Sequence, residues 1–161
     1  MYHYPKILIS LLALGLATVY THSSHAIKPK DVLANGVDSA MINGTEVRKG
    51  TLAALFHNLK ALETLLEKDP KSSEIAGLKE DIRTTMPALK ALGFFDIFPV
   101  NEWLFAKKAN GKIWQSKVLL AALYLQAYPQ ELDNKLWQKI AQLKNQSLPP
   151  IQSELARITD S

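Results

Sequence analysis

Between Val118 and Leu125 the chain reads VLLAALYL, with no charged side chain to interrupt it. A helix over about 113–128 built on this run is apolar nearly all round. It has no face to offer water, so it must lie in the middle of the fold. It is far too short to cross a bilayer, which takes about 20 apolar residues. The rest of the chain therefore has to provide its cover.

Amphipathic helices on both sides supply that cover. Leu52, Leu55, Phe56, Leu59, Leu62 and Leu66 recur at steps of three and four, which predicts a helix over 51–68 with one apolar face. Thr51 is its expected N-cap. Ile75, Leu78, Ile82, Met86 and Leu89 predict a second helix over 73–92. Pro87 should kink or restart it near Thr84-Thr85, because proline brings no backbone donor. Gly93 suits a left-handed stop. Asn101 is read as the cap of a short helix over 102–109, ended by Asn110-Gly111. Leu132, Leu136, Ile140 and Leu143 mark a helix over 130–145, and Ile151, Leu155 and Ile158 mark a last one over 150–158.

One segment has a different period. Met41-Ile-Asn-Gly-Thr-Glu-Val-Arg48 reads as two short strands around Asn43-Gly44, a dipeptide that accepts the positive φ angles of a tight hairpin turn. A lone hairpin is marginal in water. It must lie on a helix or recruit a third strand, for which Phe95–Val100 is the candidate. The expected fold is mainly α with a short N-terminal β-hairpin at 41–48, a small α+β domain. Five to six helices pack around the apolar helix 113–128, and a single domain spans 27–161.

The first 26 residues read as a cleaved secretory signal. Lys6 gives a positive start, Ile7–Val19 is an apolar run too short for a spanning helix, and Ser24 and Ala26 are small residues one position apart. Cleavage is expected after Ala26, with a periplasmic or secreted destination and no transmembrane segment in the mature chain. The leader removes Lys6 and three of the four histidines, so the mature chain has a net charge of +3 and keeps only His57. There is no cysteine, so thiol nucleophiles, thiolate metal sites and redox pairs are excluded. A cysteine-free exported domain points to a bacterial envelope. The sequons at Asn43 and Asn145 read as chance occurrences.

Familiar catalytic chemistry finds no purchase. No serine elbow, phosphate-cradling glycine loop, His-Glu-x-x-His or acidic calcium loop is present. His57 has no second histidine to share a metal and sits beside the apolar stripe. Glu63 with Glu67, Glu80 with Asp81, and Glu131 with Asp133 read as solvated helix faces. No catalytic residue, metal ligand or cofactor is assigned.

The most distinctive segment is Trp103–Lys117. It interleaves Trp103, Phe105 and Trp114 with Lys107, Lys108, Lys112 and Lys117, and has no acidic residue after Glu102 until Glu131. Aromatic and basic groups together suit an anionic surface. Trp103, Lys107, Lys108, Lys112 and Trp114 are the candidate binding residues. Nucleic acid is not the expected partner, because the net charge is small and the destination extracytoplasmic.

The stretch Asn43–Thr51 with its following helix, and the stretch Ala88–Phe98, resemble short bacterial proteins of unknown function over residues 35–100. The resemblance implies a bacterial origin and no activity. The leading functional expectation is a small exported non-catalytic binding protein of the bacterial envelope, meeting an envelope protein or an anionic envelope surface. The alternatives are a small exported carboxylate-dependent hydrolase, and a secreted effector or inhibitor acting on a foreign protein.

Overall fold

A computed structural model describes residues 36–160. The expected leader and the lead-in to the hairpin lie outside the described residues. Among the described residues no helix is long and apolar enough to cross a membrane.

The hairpin is present and slightly longer than predicted. Strands β1 (Ser39–Ile42) and β2 (Thr45–Arg48) pair antiparallel, with Ala40 opposite Val47 and Ile42 opposite Thr45. Asn43 (φ 47°) and Gly44 (φ 78°) both take the left-handed conformation that the turn requires. The hairpin lies on a helix and recruits no third strand. Val47 is buried with Ala88 and Ala91, and Ile42 and Leu92 pack against them. The opposite face carries Met41 and Glu46 into water.

Helix α1 (Thr51–Lys68) keeps the predicted bounds, but its N-cap is Gly50 at φ 89°. Thr51 is the first helical residue, and its hydroxyl donates back to the Arg48 carbonyl at 2.8 Å. The buried face is Leu55, Leu59, Leu62, Glu63 and Leu66. Leu52 and Phe56, expected in the core stripe, are 37% and 49% exposed.

The predicted helix 73–92 is two helices, α2 (Glu74–Thr84) and α3 (Met86–Ala91). Pro87 sits in the first turn of α3 and cannot donate to a carbonyl of α2. The hydroxyls of Thr84 and Thr85 donate instead to the carbonyls of Asp81 (2.7 Å) and Ile82 (2.6 Å). Gly93 does make the left-handed stop, at φ 64°.

Phe95–Val100 is not a strand. Phe95–Ile97 belong to α4 (Phe94–Ile97), and Pro99 leads into α5 (Val100–Leu104). Successive side chains of a strand point to opposite faces. Phe94 and Phe95 are both buried, at 4% and 9% exposure, which a helical turn permits. Helix α5 also replaces the expected 102–109. It stops at Leu104, and residues 106–114 fold back on themselves around Gly111 (φ 79°), with Lys107 bridging Ile113. Trp114 donates its backbone N–H to Ala106, and Lys108 donates its own to Lys112.

The apolar run forms α6 (Gln115–Ala127), whose residues 118–125 are all buried. It packs against α1, α2, α3, α5 and the last helix, α8 (Pro149–Thr159). The expected helix 130–145 divides into a 3-10 turn, Pro129–Glu131, and α7 (Asn134–Lys144). Asp133 caps α7 by accepting the Leu136 N–H at 2.6 Å. The architecture is thus a small α+β fold, mainly helical, with its helices arranged around α6.

Candidate functional site

Three aromatic elements meet at one end of α1. Phe94, at the start of α4, forms a hub. Its ring centroid lies 5.1 Å from Phe98, 5.4 Å from Trp103 and 6.4 Å from Phe56. Phe95 leans on it edge-on at 5.1 Å and stacks on Tyr124 of α6 at 4.1 Å. The hub is tied to the core, so the rings around it have fixed positions.

Above this hub runs an open groove of about 600 Å³. Its apolar lining is Phe56 and Leu59 from α1, Phe98, Trp103 from α5 and Trp114. Phe56 and Phe98 are 49% and 47% exposed. Leu52 lies one turn before Phe56 and Ile97 precedes Phe98, and both are exposed too. Exposed apolar side chains are ordinary when single. A cluster of this kind, rimmed by charge, is the usual mark of an interaction surface.

Lys60 and Lys117 stand at the groove, with Glu102 the acidic residue among its lining. The Lys117 ammonium lies 5.4 Å from the Trp103 ring and 5.2 Å from the Trp114 ring, so both indoles hold it by cation–π attraction. Among the described residues neither Lys60 nor Lys117 has a carboxylate within ion-pair distance.

The structure divides the predicted binding residues. Trp103 and Trp114, half-buried, share the groove. Lys108 is turned away from it. Its ammonium pairs with both Glu63 and Glu67 of α1 and lies 5.1 Å from the Trp114 ring. Burial works against the charged amine, but the two carboxylates outweigh it and hold Lys108 above its ordinary value. Lys112 borders the shallow pocket beside these carboxylates, and Lys107 a different one with Phe105 and Lys139. The three lysines therefore do not project together. Phe56, Phe98 and Lys60 complete the groove, and sequence reasoning had placed none of them there. The one available signal was Phe56 at the edge of its helical stripe.

The carboxylates hold the fold together. Glu63 is 5% exposed, and its Oε2 accepts the buried Ser116 N–H at 2.7 Å, capping α6 from a neighbouring helix. Glu131 pairs with Lys90, Glu80 with Arg83, and Asp133 caps α7. Glu154 of α8 is 1% exposed and gathers Lys79, Arg83, Arg157 and Gln126. Burial alone would raise its pKa. The hydrogen bonds from Lys79 and Gln126 and the charges of Lys79 and Arg157 more than reverse this and hold it below the ordinary value. His57 is exposed, on a shallow surface between α1 and α2.

Residues 31–122 match the model of a family described as Domain of unknown function (DUF7709). The match covers more than half of the chain, and the chain belongs to that family. No curated protein and no solved structure matches it.

Proposed function

We propose that this family member is a small exported binding protein of the bacterial cell envelope, which meets an anionic envelope surface through the aromatic groove. The observation that carries the reading is the groove itself. Phe56, Phe98, Trp103 and Trp114 line one open surface, and Lys60 and Lys117 stand there without carboxylate partners among the described residues. Aromatic rings with a polar edge suit the boundary between an apolar layer and water, and lysines beside them suit anionic headgroups.

Export is supported by the leader-like first 26 residues. The family match opens at residue 31, beyond the expected cleavage point, as suits a domain that does not include the leader. Of the paired carboxylates that a hydrolase could use, Glu63, Glu67, Glu80, Glu131 and Asp133 are held in capping or ion-pair contacts, which favours binding over catalysis.

The test uses protein recovered after export, in a Trp137→Phe background so that emission reports Trp103 and Trp114. Vesicles of phosphatidylglycerol should bind it and shift the emission to the blue. Phosphatidylcholine vesicles should not. Binding should weaken as salt is raised, because screening acts over about 10 Å at 0.1 M. Equal affinity for both vesicle types, or none for either at low salt, refutes the reading.

A further inference from the structure

We propose that the groove holds the hydrocarbon chain of a single phosphate-headed amphiphile, with the phosphate against Lys60 and Lys117. This rests on the envelope-surface reading and narrows it from a surface to a ligand.

The volume and lining favour such an occupant. About 600 Å³ falls within the range of small-molecule sites. The walls are Phe56, Leu59, Phe98, Trp103 and Trp114, and the hub behind them, Phe94, is 4% exposed. These walls are pre-formed, because Phe94 contacts three of the groove's rings and packs through Phe95 onto α6. Little ordering is needed on binding.

The shortage of polar partners argues against a peptide in the same place. An extended peptide brings an N–H and a C=O with every residue, and each must be satisfied when buried. Besides the two lysines, the polar groups of the lining are Ser116, Glu102 and the indole N–H groups of Trp103 and Trp114, and the Ser116 backbone N–H is already taken by Glu63. A hydrocarbon chain makes no such demand.

Charge selects the head. Lys79, Lys90, Lys108 and Lys144 each have a carboxylate partner. Lys60 and Lys117 have none among the described residues, as is true of Lys107, Lys112 and Lys139, but these two border the groove walled by Phe56, Phe98, Trp103 and Trp114. The Lys117 ammonium is held in place by two indoles. With Glu102 counted, two ammonium groups and one carboxylate leave the lining net positive, which favours an anionic head such as a phosphate monoester, with its charge of roughly −1.5 to −2 at neutral pH.

The experiment is calorimetric titration of the export-processed protein with n-alkyl phosphates of increasing length, each below its micelle concentration. One molecule should bind per chain, and affinity should rise about fourfold per added methylene until the groove is filled. Lys60→Met and Lys117→Met keep the apolar stems and should each weaken binding about fivefold. Far-UV circular dichroism confirms that both variants fold. Affinity independent of chain length, no effect of either lysine variant, or equal binding of alkyltrimethylammonium ions overturns the proposal. So does an acidic amphipathic peptide that binds the groove when alkyl phosphates do not. Vesicle binding without alkyl phosphate binding defeats the groove proposal and leaves the surface reading intact. Alkyl phosphate binding without vesicle binding does the reverse.

Discussion

Replacing Glu154 with glutamine should destabilise the protein at neutral pH and leave it nearly unaffected in acid. The carboxylate joins three helices. It takes Lys79 of α2 at 2.5 Å, Arg83 of α2 at 3.2 Å and Arg157 of α8 at 3.2 Å, while Gln126 of α6 donates to it at 3.1 Å. Lys79 is the least exposed of the cations, at 18%, and its charge-assisted bond is worth about 1.5–3 kcal/mol. Arg83 and Arg157 are 34% and 61% exposed, and such pairs contribute about 0.2–1 kcal/mol each. Glutamine keeps the shape and one acceptor oxygen, and it removes the cost of burying a charge. The balance is a loss of about 2 kcal/mol at pH 7. The folded-state pKa of Glu154 lies below the ordinary 4.5. Its contribution is therefore full above 4.5 and disappears as pH falls through the depressed value. Urea denaturation followed by circular dichroism, repeated from neutral pH to well below 4.5, should show the gap between wild type and Glu154→Gln closing in acid. Equal stability at neutral pH refutes the argument, and so does a gap that stays constant as the pH falls.

Three further outcomes follow from the same contacts. Lys108→Ala strands the buried Glu63 carboxylate and should cost about 3 kcal/mol in urea denaturation; adding Glu63→Gln should recover part of the loss, because no buried charge is then left unpaired. Asn43 donates to the Ala91 carbonyl at 3.0 Å from a left-handed backbone. Asn43→Gly should cost about 1 kcal/mol for the lost bond, and Asn43→Ala about 1–2 kcal/mol more for the backbone conformation, measured by the same unfolding. Intact mass of protein from the envelope fraction should give a chain beginning at Ile27; recovery of the full 161 residues there would refute cleavage after Ala26.

Local chemistry in this chain was legible wherever one residue type fixes one backbone state. Asn43-Gly44 gave the hairpin turn, Pro87 the break between α2 and α3, and Gly93 the helix stop. The run 118–125 gave the central helix, because a helix with no polar face has one place to go. Where neighbours in space decide, the sequence was silent. Phe95 is compatible with a strand until the hub it joins is known. Glu63 and Glu67 look like a solvated pair, since Lys108 lies more than 40 residues away and reaches them only after the 106–114 turn forms. Composition showed that the lysines of Trp103–Lys117 share a segment. The carboxylates of α1 take Lys108, and the 106–114 turn sets Lys107 and Lys112 at other pockets, which leaves Lys117 at the groove.

The extent of the family match bears on how the groove is supported. Residues 31–122 contain every aromatic of the groove, Lys60 and Lys117, and also Glu63, which caps α6. They end inside α6, whose buried residues continue to Leu125. A helix apolar on every side cannot stand with one side open to water. In this chain α8 closes that side, with Ile151 and Leu155 fully buried, and Glu154 ties α8 to Gln126 of α6 and to α2. The groove rests on Phe94 and Phe95, Phe95 rests on Tyr124, and Tyr124 belongs to the helix that α8 helps to cover. The part of the chain beyond the match therefore supplies no lining residue, and yet it holds in place the helix on which the lining depends.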